Sequence, residues 1–164
     1  QMCIRDSSNA LGAIPRLLDL GVQPYLVPPT LSIAIAQRLV RKLCDDCKKP
    51  VSPKKGIRDL ILKEIEGLPE KAKENLKFPE KLTIYTAAGC KKCNSEGYTG
   101  RVGLFEILSM TDQLSSIILK IPEEREILKE AKRQGMINMK QDGILKVLSG
   151  VTTIEEVLRV AEEK

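Results

Sequence analysis

The sequence predicts a mainly α-helical protein with a small antiparallel β element and a subdomain organised by four cysteines. Three observations carry that prediction. Apolar residues recur at helical spacing over most of the 164 residues, with capping residues at the segment ends. Two stretches, "LTIYTA" and "RVGLFEIL", alternate instead and favour strands. Two Cys-x-x-Cys pairs, Cys44/Cys47 and Cys90/Cys93, stand 42 residues apart in a chain without histidine.

The head "QMCIRDS", residues 1–7, has no apolar h-region and is no signal peptide; it fits poorly with the residues after it and reads as non-native, so Cys3 is set apart from the two pairs. "NALGAIPRLLDLG" places Leu11, Ile14, Leu17 and Leu18 on one helical face, with Gly21 as the stop and Pro15 either starting or kinking the helix. After Pro28-Pro29, Thr30 is expected to cap a short helix, "LSIAIAQ", and "RLVRKLC" continues it or turns into a strand. "PVSPKKG" is a turn-rich entry to a helix bearing Ile57, Leu60, Ile61 and Ile65 on one face and ending at Gly67. A charged helix, "PEKAKENLKFPEK", precedes the first strand. Beyond the second strand, Thr111 or Asp112 caps "QLSSIILK", Pro122 opens a helix that Gly135 ends, and "KQDGILKVLSG" stops at Gly150. Thr153-x-x-Glu156 has the form of a capping box for the last helix.

Two Cys-x-x-Cys knuckles supply four thiolates, the tetrahedral set that a structural Zn²⁺ takes. Redox dithiols, disulfides and unligated thiols are the other readings. Neither pair lies in a βαβ unit, and nothing suggests an oxidising compartment. A closed zinc site on Cys44, Cys47, Cys90 and Cys93 is therefore expected, with zinc ahead of iron because aromatics are only 3% of the chain. If "RLVRKLC" and "GYTGRVGLFEIL" are both strands they can pair, and the metal then ties off the base of a long insertion. Lys42, Lys48, Lys49, Lys91 and Lys92 flank the sulfurs and are expected to offset the net charge of a tetrathiolate. Asp45 and Asp46 are expected to solvate the knuckle.

Composition bounds the function. The net charge is +5, yet residues 38–58 alone carry eight Lys or Arg against Asp45 and Asp46. No apolar run approaches the ~20 residues of a membrane span. There is no G-x-x-x-x-G-K-[ST] phosphate loop, and the lack of histidine excludes His-dependent triads. Few aromatics leave little for base stacking, so a free-standing zinc-ribbon-like nucleic-acid-binding module is the weaker alternative.

The segments "GAIPRLLDLGVQPYLV", "AQRLVRKLCDDCK", "GCKKCNSEGYTGRVGLFEIL" and "INMKQDGILKVLSGVTTIEEVLRV" together resemble the C-terminal part of the ATPases that drive type II secretion and type IV pilus assembly (the GspE/PilB type). The resemblance implies a homo-hexameric cytoplasmic motor, peripheral at the inner membrane, that binds ATP and Mg²⁺ and works on an inner-membrane platform protein. Nucleic acid is not an expected partner. It implies that residues 8–43 form the C-terminal edge of a RecA-like P-loop core, 44–100 a zinc subdomain, 101–110 a core strand and 111–164 a C-terminal helical subdomain. The family's Walker and His-containing motifs have no counterpart here, so no catalytic residue is carried over and the 164 residues alone are expected to be inactive.

Overall fold

The computed structural model describes residues 9–74, 82–120 and 123–161. The head with Cys3, the second half of "PEKAKENLKFPEK" and Pro122 lie outside them.

Helix α1 (Ala13–Asp19) begins early enough for Pro15 to sit in its first turn, where no intrahelical N–H is needed. It closes at Gly21, whose φ of +87° suits a residue without Cβ. A short 3-10 turn leads into α2 (Val27–Thr30). Here the expectation of a helix over "LSIAIAQ" fails. Thr30 ends α2, its hydroxyl donating back to the Leu26 and Val27 carbonyls, and Ile33–Leu43 is an 11-residue strand, β1. Its β-branched isoleucines alternate with small alanines, and pairing along most of its length decides the conformation.

The partner is β4 (Tyr98–Ser109), antiparallel to β1 from Ile33↔Ser109 to Arg41↔Arg101. The pairing then shifts, because Leu43 meets Tyr98 and β4 carries one extra residue around Gly100. The two strands expected to pair across the cysteines therefore do so. Within the insertion, β2 (Lys48–Val51) and β3 (Ile84–Ala87) form a second antiparallel pair. The first part of "PVSPKKG" is thus strand, and Pro50 is tolerated because a two-stranded ribbon leaves each strand a free edge. Helices α3 (Lys55–Glu66) and α4 (Glu70–Glu74) lie between them.

Four helices come after β4: α5 (Asp112–Leu119), α6 (Glu124–Gln134), α7 (Met139–Leu148) and α8 (Ile154–Ala161). Thr111 caps α5 by accepting from the Leu114 N–H, and Gly135 closes α6 in the left-handed region. The expected Thr153/Glu156 box is not the one that forms. The Thr153 hydroxyl lies 3.1 Å from that of Tyr98, and the Glu156 carboxylate binds Arg41 and Arg159. A reciprocal box appears instead at α7, between Asn138 and Gln141.

The core has three parts. Ile14, Val27, Leu108, Leu114, Ile118 and Ile127 join α1, α2, α5 and α6 to one end of the β1–β4 ribbon. Val40, Leu104, Met139 and Val160 join the middle of the ribbon to α7 and α8. Ile61 and Ile84 from the insertion pack with Ile144, Val147, Ile154 and Val157. The insertion thus shares its core with the last two helices.

The "QDG" stretch explains how α7 holds that position. Gln141 completes the α7 cap. Asp142 accepts the outward N–H of Phe105 on β4 (2.8 Å) and pairs with Lys146. Gly143 lets α8 approach, since a Cβ there would stand 2.5 Å from a methyl of Val157. Gly143→Ala is expected to push the two helices apart, destabilising the fold by about 1–3 kcal/mol. Thermal melting reads this directly, and an unchanged Tm would contradict the tight crossing.

Candidate metal centre

The sequence places each cysteine pair at a chain reversal. Cys44 comes directly after β1, and the Cys47 and Lys48 N–H groups both turn back to its carbonyl. Cys90 precedes a 3-10 turn (Lys91–Cys93) that ends in Asn94 and Ser95 at positive φ. The Cys44 N–H donates to the Gly97 carbonyl, which sets one knuckle against the other.

All four sulfurs lie within 4.8 Å of one another. The Cys44–Cys90, Cys47–Cys93 and Cys90–Cys93 separations are 3.9, 3.8 and 3.7 Å. Four sulfurs at ~2.3 Å around a tetrahedral ion stand about 3.8 Å apart, and these three separations match that spacing. The same distances far exceed the ~2.05 Å of a disulfide, and the four thiols are free. The sequence-predicted ligands therefore converge, and they alone form a cysteine group able to hold a metal among the described residues.

Their electrostatics differ from expectation. Lys42 and Lys48 both reach Asp45 (3.1 and 2.7 Å), and Lys92 reaches Asp46 on the opposite knuckle (2.9 Å). These lysines neutralise aspartates, and Asp45 is held below the usual carboxylate range by Lys48 and Lys42. Around the sulfurs, backbone amides supply positive charge: the Cys90 and Gly97 N–H groups point at Cys93 Sγ from 3.1 and 3.2 Å. Burial opposes ionisation of Cys93, but these amides and the neighbouring thiols prevail and lower it to about 7. Burial and the hydrogen bond to Cys44 push Cys47 up to about 12. The arrangement concentrates negative charge on the sulfur best supplied with donors.

The knot is also seated, which the sequence did not reveal. The loop Gly150–Thr153, between α7 and α8, lies along its base. The Leu43 N–H donates to the Val151 carbonyl (2.9 Å), the Thr152 hydroxyl to the Arg41 carbonyl (2.8 Å), and Lys48 Nζ to the Gly150 carbonyl (3.1 Å). Arg41 stacks on Tyr98, 4.2 Å from the ring centre, and donates to Glu156 at 2.7 Å. Glu106 is a second missed anchor. It is buried, and accepts the Ala10 and Met139 N–H groups at 2.9 and 3.2 Å. A signal for it was present, since a charged residue in phase with Val102 and Leu104 sits on the inner face of β4.

Comparison with known proteins places this geometry in context. Residues 6–159 match the family described as Type II/IV secretion system protein. Over 157 residues the chain is 38% identical to the Type II secretion system ATPase E of Vibrio cholerae, covering 96% of this chain and 28% of that protein. It is 35% identical over 155 residues to the Type IV pilus assembly ATPase PilB of Myxococcus xanthus, covering 93% and 25%. A further relative, the Type II secretion system protein E of Pseudomonas aeruginosa, is 36% identical over 158 residues, covering 96% and 29%. The chain thus spans about a quarter of the length of these relatives. Among the described residues, no helix is long and apolar enough to cross a membrane.

Proposed function

This chain belongs to the Type II/IV secretion system protein family, and from that premise we propose that it is the metal-stabilised C-terminal quarter of a secretion or pilus-assembly ATPase. The observation that carries the reading is the convergence of the Cys44, Cys47, Cys90 and Cys93 sulfurs within 4.8 Å of one another in a chain of this family. Zn²⁺ bound by the four thiolates is structural: it closes the base of the insertion and offers no open coordination position. ATP and Mg²⁺ bind on the part of the longer protein that carries its phosphate loop. The hexameric ring and the inner-membrane platform protein implied by the resemblance are the setting in which turnover moves this piece.

In that reading residues 8–43 and 101–110 are the edge of the ATPase core, 44–100 the zinc subdomain and 111–164 the helical subdomain. The zinc subdomain transmits motion through its seat on the Gly150–Thr153 loop and presents an exposed basic surface to the partner. Lys48 is committed to Asp45 and Gly150, so the exposed Lys49, Lys54 and Lys55 are the residues to reverse in charge. Their triple glutamate variant is expected to keep its zinc and its Tm but to lose most recruitment to the inner membrane in cells. Unchanged recruitment would remove the surface from the mechanism.

Thiol titration tests the zinc centre. In the native protein Cys44, Cys47, Cys90 and Cys93 are expected to resist thiol reagents, and all five cysteines to react after a chelator in denaturant. Immediate reaction of those four would overturn the site.

A further inference from the structure

A cleft of about 260 Å³ opens where the end of α3, in the insertion, meets α6 and the first turn of α7. Leu11, Leu128, Ala131 and Met136 give it an apolar wall, on which Leu128 is 39% exposed. Lys63 and Lys132 also line it, both exposed and neither in an ion pair among the described residues. Glu64, the one carboxylate in the lining, is taken by Lys140 at 3.2 Å. Two lysines against one glutamate leave the lining with a single net positive charge.

The chemistry of the cleft centres on Gln141. Its side chain is only 8% exposed, and Oε1 accepts the Asn138 N–H at 3.0 Å to close the α7 cap. The two N–H groups on Nε2 have no acceptor among the described residues. No fully buried side-chain N or O atom lacks a partner, so Nε2 is reached from the cleft that Gln141 lines. Gly67 keeps that approach open, since a Cβ there would stand 3.6 Å from Nε2. Gln141 is also the third residue of a 10-residue helix, where the first turn favours negative charge. Water can serve these donors, but an ionised acceptor makes a hydrogen bond roughly twice as strong.

We infer that this cleft binds a monocarboxylate with an apolar stem, its head on Gln141 Nε2 and its stem along Leu128 and Met136. The single net charge suits a monoanion better than a phosphate group, which carries about −1.5 to −2 near neutral pH. The volume lies just under the ~300 Å³ at which sites for drug-sized ligands begin, so the occupant is small. A short fatty acid and the C-terminal end of a peptide share the required chemistry. Bound there, either one joins the end of α3 to α6 and α7, well away from the cysteines and without reference to the motor reading.

Titration of the 164-residue chain with sodium hexanoate, followed by NMR at the Gln141 side-chain amide, tests the site. Hexanoate should shift that resonance and raise the Tm. It should bind at least ~10-fold tighter than acetate, which lacks the stem, or hexanol, which lacks the charge. An acetylated peptide ending in two leucines is titrated beside it, with the amidated peptide as control. Whichever carboxylate binds tighter identifies the source, and either result supports the site. Gln141→Glu is the deciding variant. Glutamate is a usual residue at this position of a capping box and still accepts the Asn138 N–H, so the Tm should hold. Hexanoate binding should fall at least ~10-fold, because two donors are exchanged for an anion. The double variant Lys63→Gln, Lys132→Gln leaves the cap untouched and should weaken hexanoate without weakening hexanol. An unmoved Gln141 amide, undiminished hexanoate binding in either variant, or equal affinity for inorganic phosphate would overturn the inference.

Discussion

Replacing Cys93 with serine is expected to empty the metal centre and release both knuckles. Cys93 is buried, its sulfur lies 3.7–3.8 Å from those of Cys90 and Cys47, and it receives the Cys90 and Gly97 N–H groups. A serine hydroxyl is a poor zinc ligand at neutral pH, and its oxygen sits nearer its own Cβ than the sulfur did. Bound zinc should fall from about one equivalent to near none. If free zinc stands a thousandfold above its Kd, the metal stabilises the fold by about 4 kcal/mol, and the variant loses that much. Tryptic proteolysis should then open the chain after Lys48, Lys91 and Lys92, whereas Pro50 protects the bond after Lys49. The α1–α2–α5–α6 core, which does not touch the knot, should keep its slow amides. Stoichiometric zinc in the variant would exclude Cys93 as a ligand.

Glu156→Ala should be nearly as damaging without touching the metal ligands. The carboxylate is 2% exposed and accepts from the Arg41 backbone (2.9 Å), the Arg41 guanidinium (2.7 Å) and Arg159 (3.0 Å). Its removal orphans the Arg41 N–H on the edge of β1 and leaves two guanidinium groups without their shared anion, a loss of about 3 kcal/mol. Burial disfavours its ionisation, but Arg41 and Arg159 outweigh that and hold it at about 2, against an ordinary 4.5. Glu130, held by Arg133 and helped by Thr111, likewise falls to about 2. For a carboxylate depressed on folding, the stabilisation is complete above its unfolded value and disappears as pH falls through the folded one. The Tm should therefore decline between about pH 5 and pH 2. Glu156→Gln should flatten part of that decline, and an identical acid profile would show that the Arg41–Glu156 pair contributes nothing.

Much of this molecule was legible before its structure. The α3 face of Ile57, Leu60, Ile61 and Ile65 and the stop at Gly67 read directly, because local periodicity and capping decide them. The cysteines read directly too, because few chemistries use that spacing. What failed was decided by distant partners. "LSIAIAQ" has a composition open to helix, and only β4, more than sixty residues later, makes it a strand. Thr153-x-x-Glu156 has the local form of a box, but Arg41 offers the carboxylate a stronger, charged partner. The Gly150–Thr153 seat was illegible because it consists largely of backbone groups, which any sequence possesses.

The position of the knot at the mouth of the insertion bears on how fast the chain can fold. Leu43 pairs with Tyr98 across a stretch of more than fifty residues, a search that a bare chain performs slowly. Once the two knuckles share one ion, Leu43 and Tyr98 are separated by only a few residues along the shortest covalent and coordinate path. By loop-closure scaling that shortening lowers the entropic barrier to zipping the ribbon by about 2 kcal/mol. Zinc added before refolding should therefore accelerate β1–β4 formation by more than tenfold, whereas zinc added afterwards should only slow unfolding. An ion held by the four thiolates would then be a nucleation point for the ribbon as well as a brace for the finished fold.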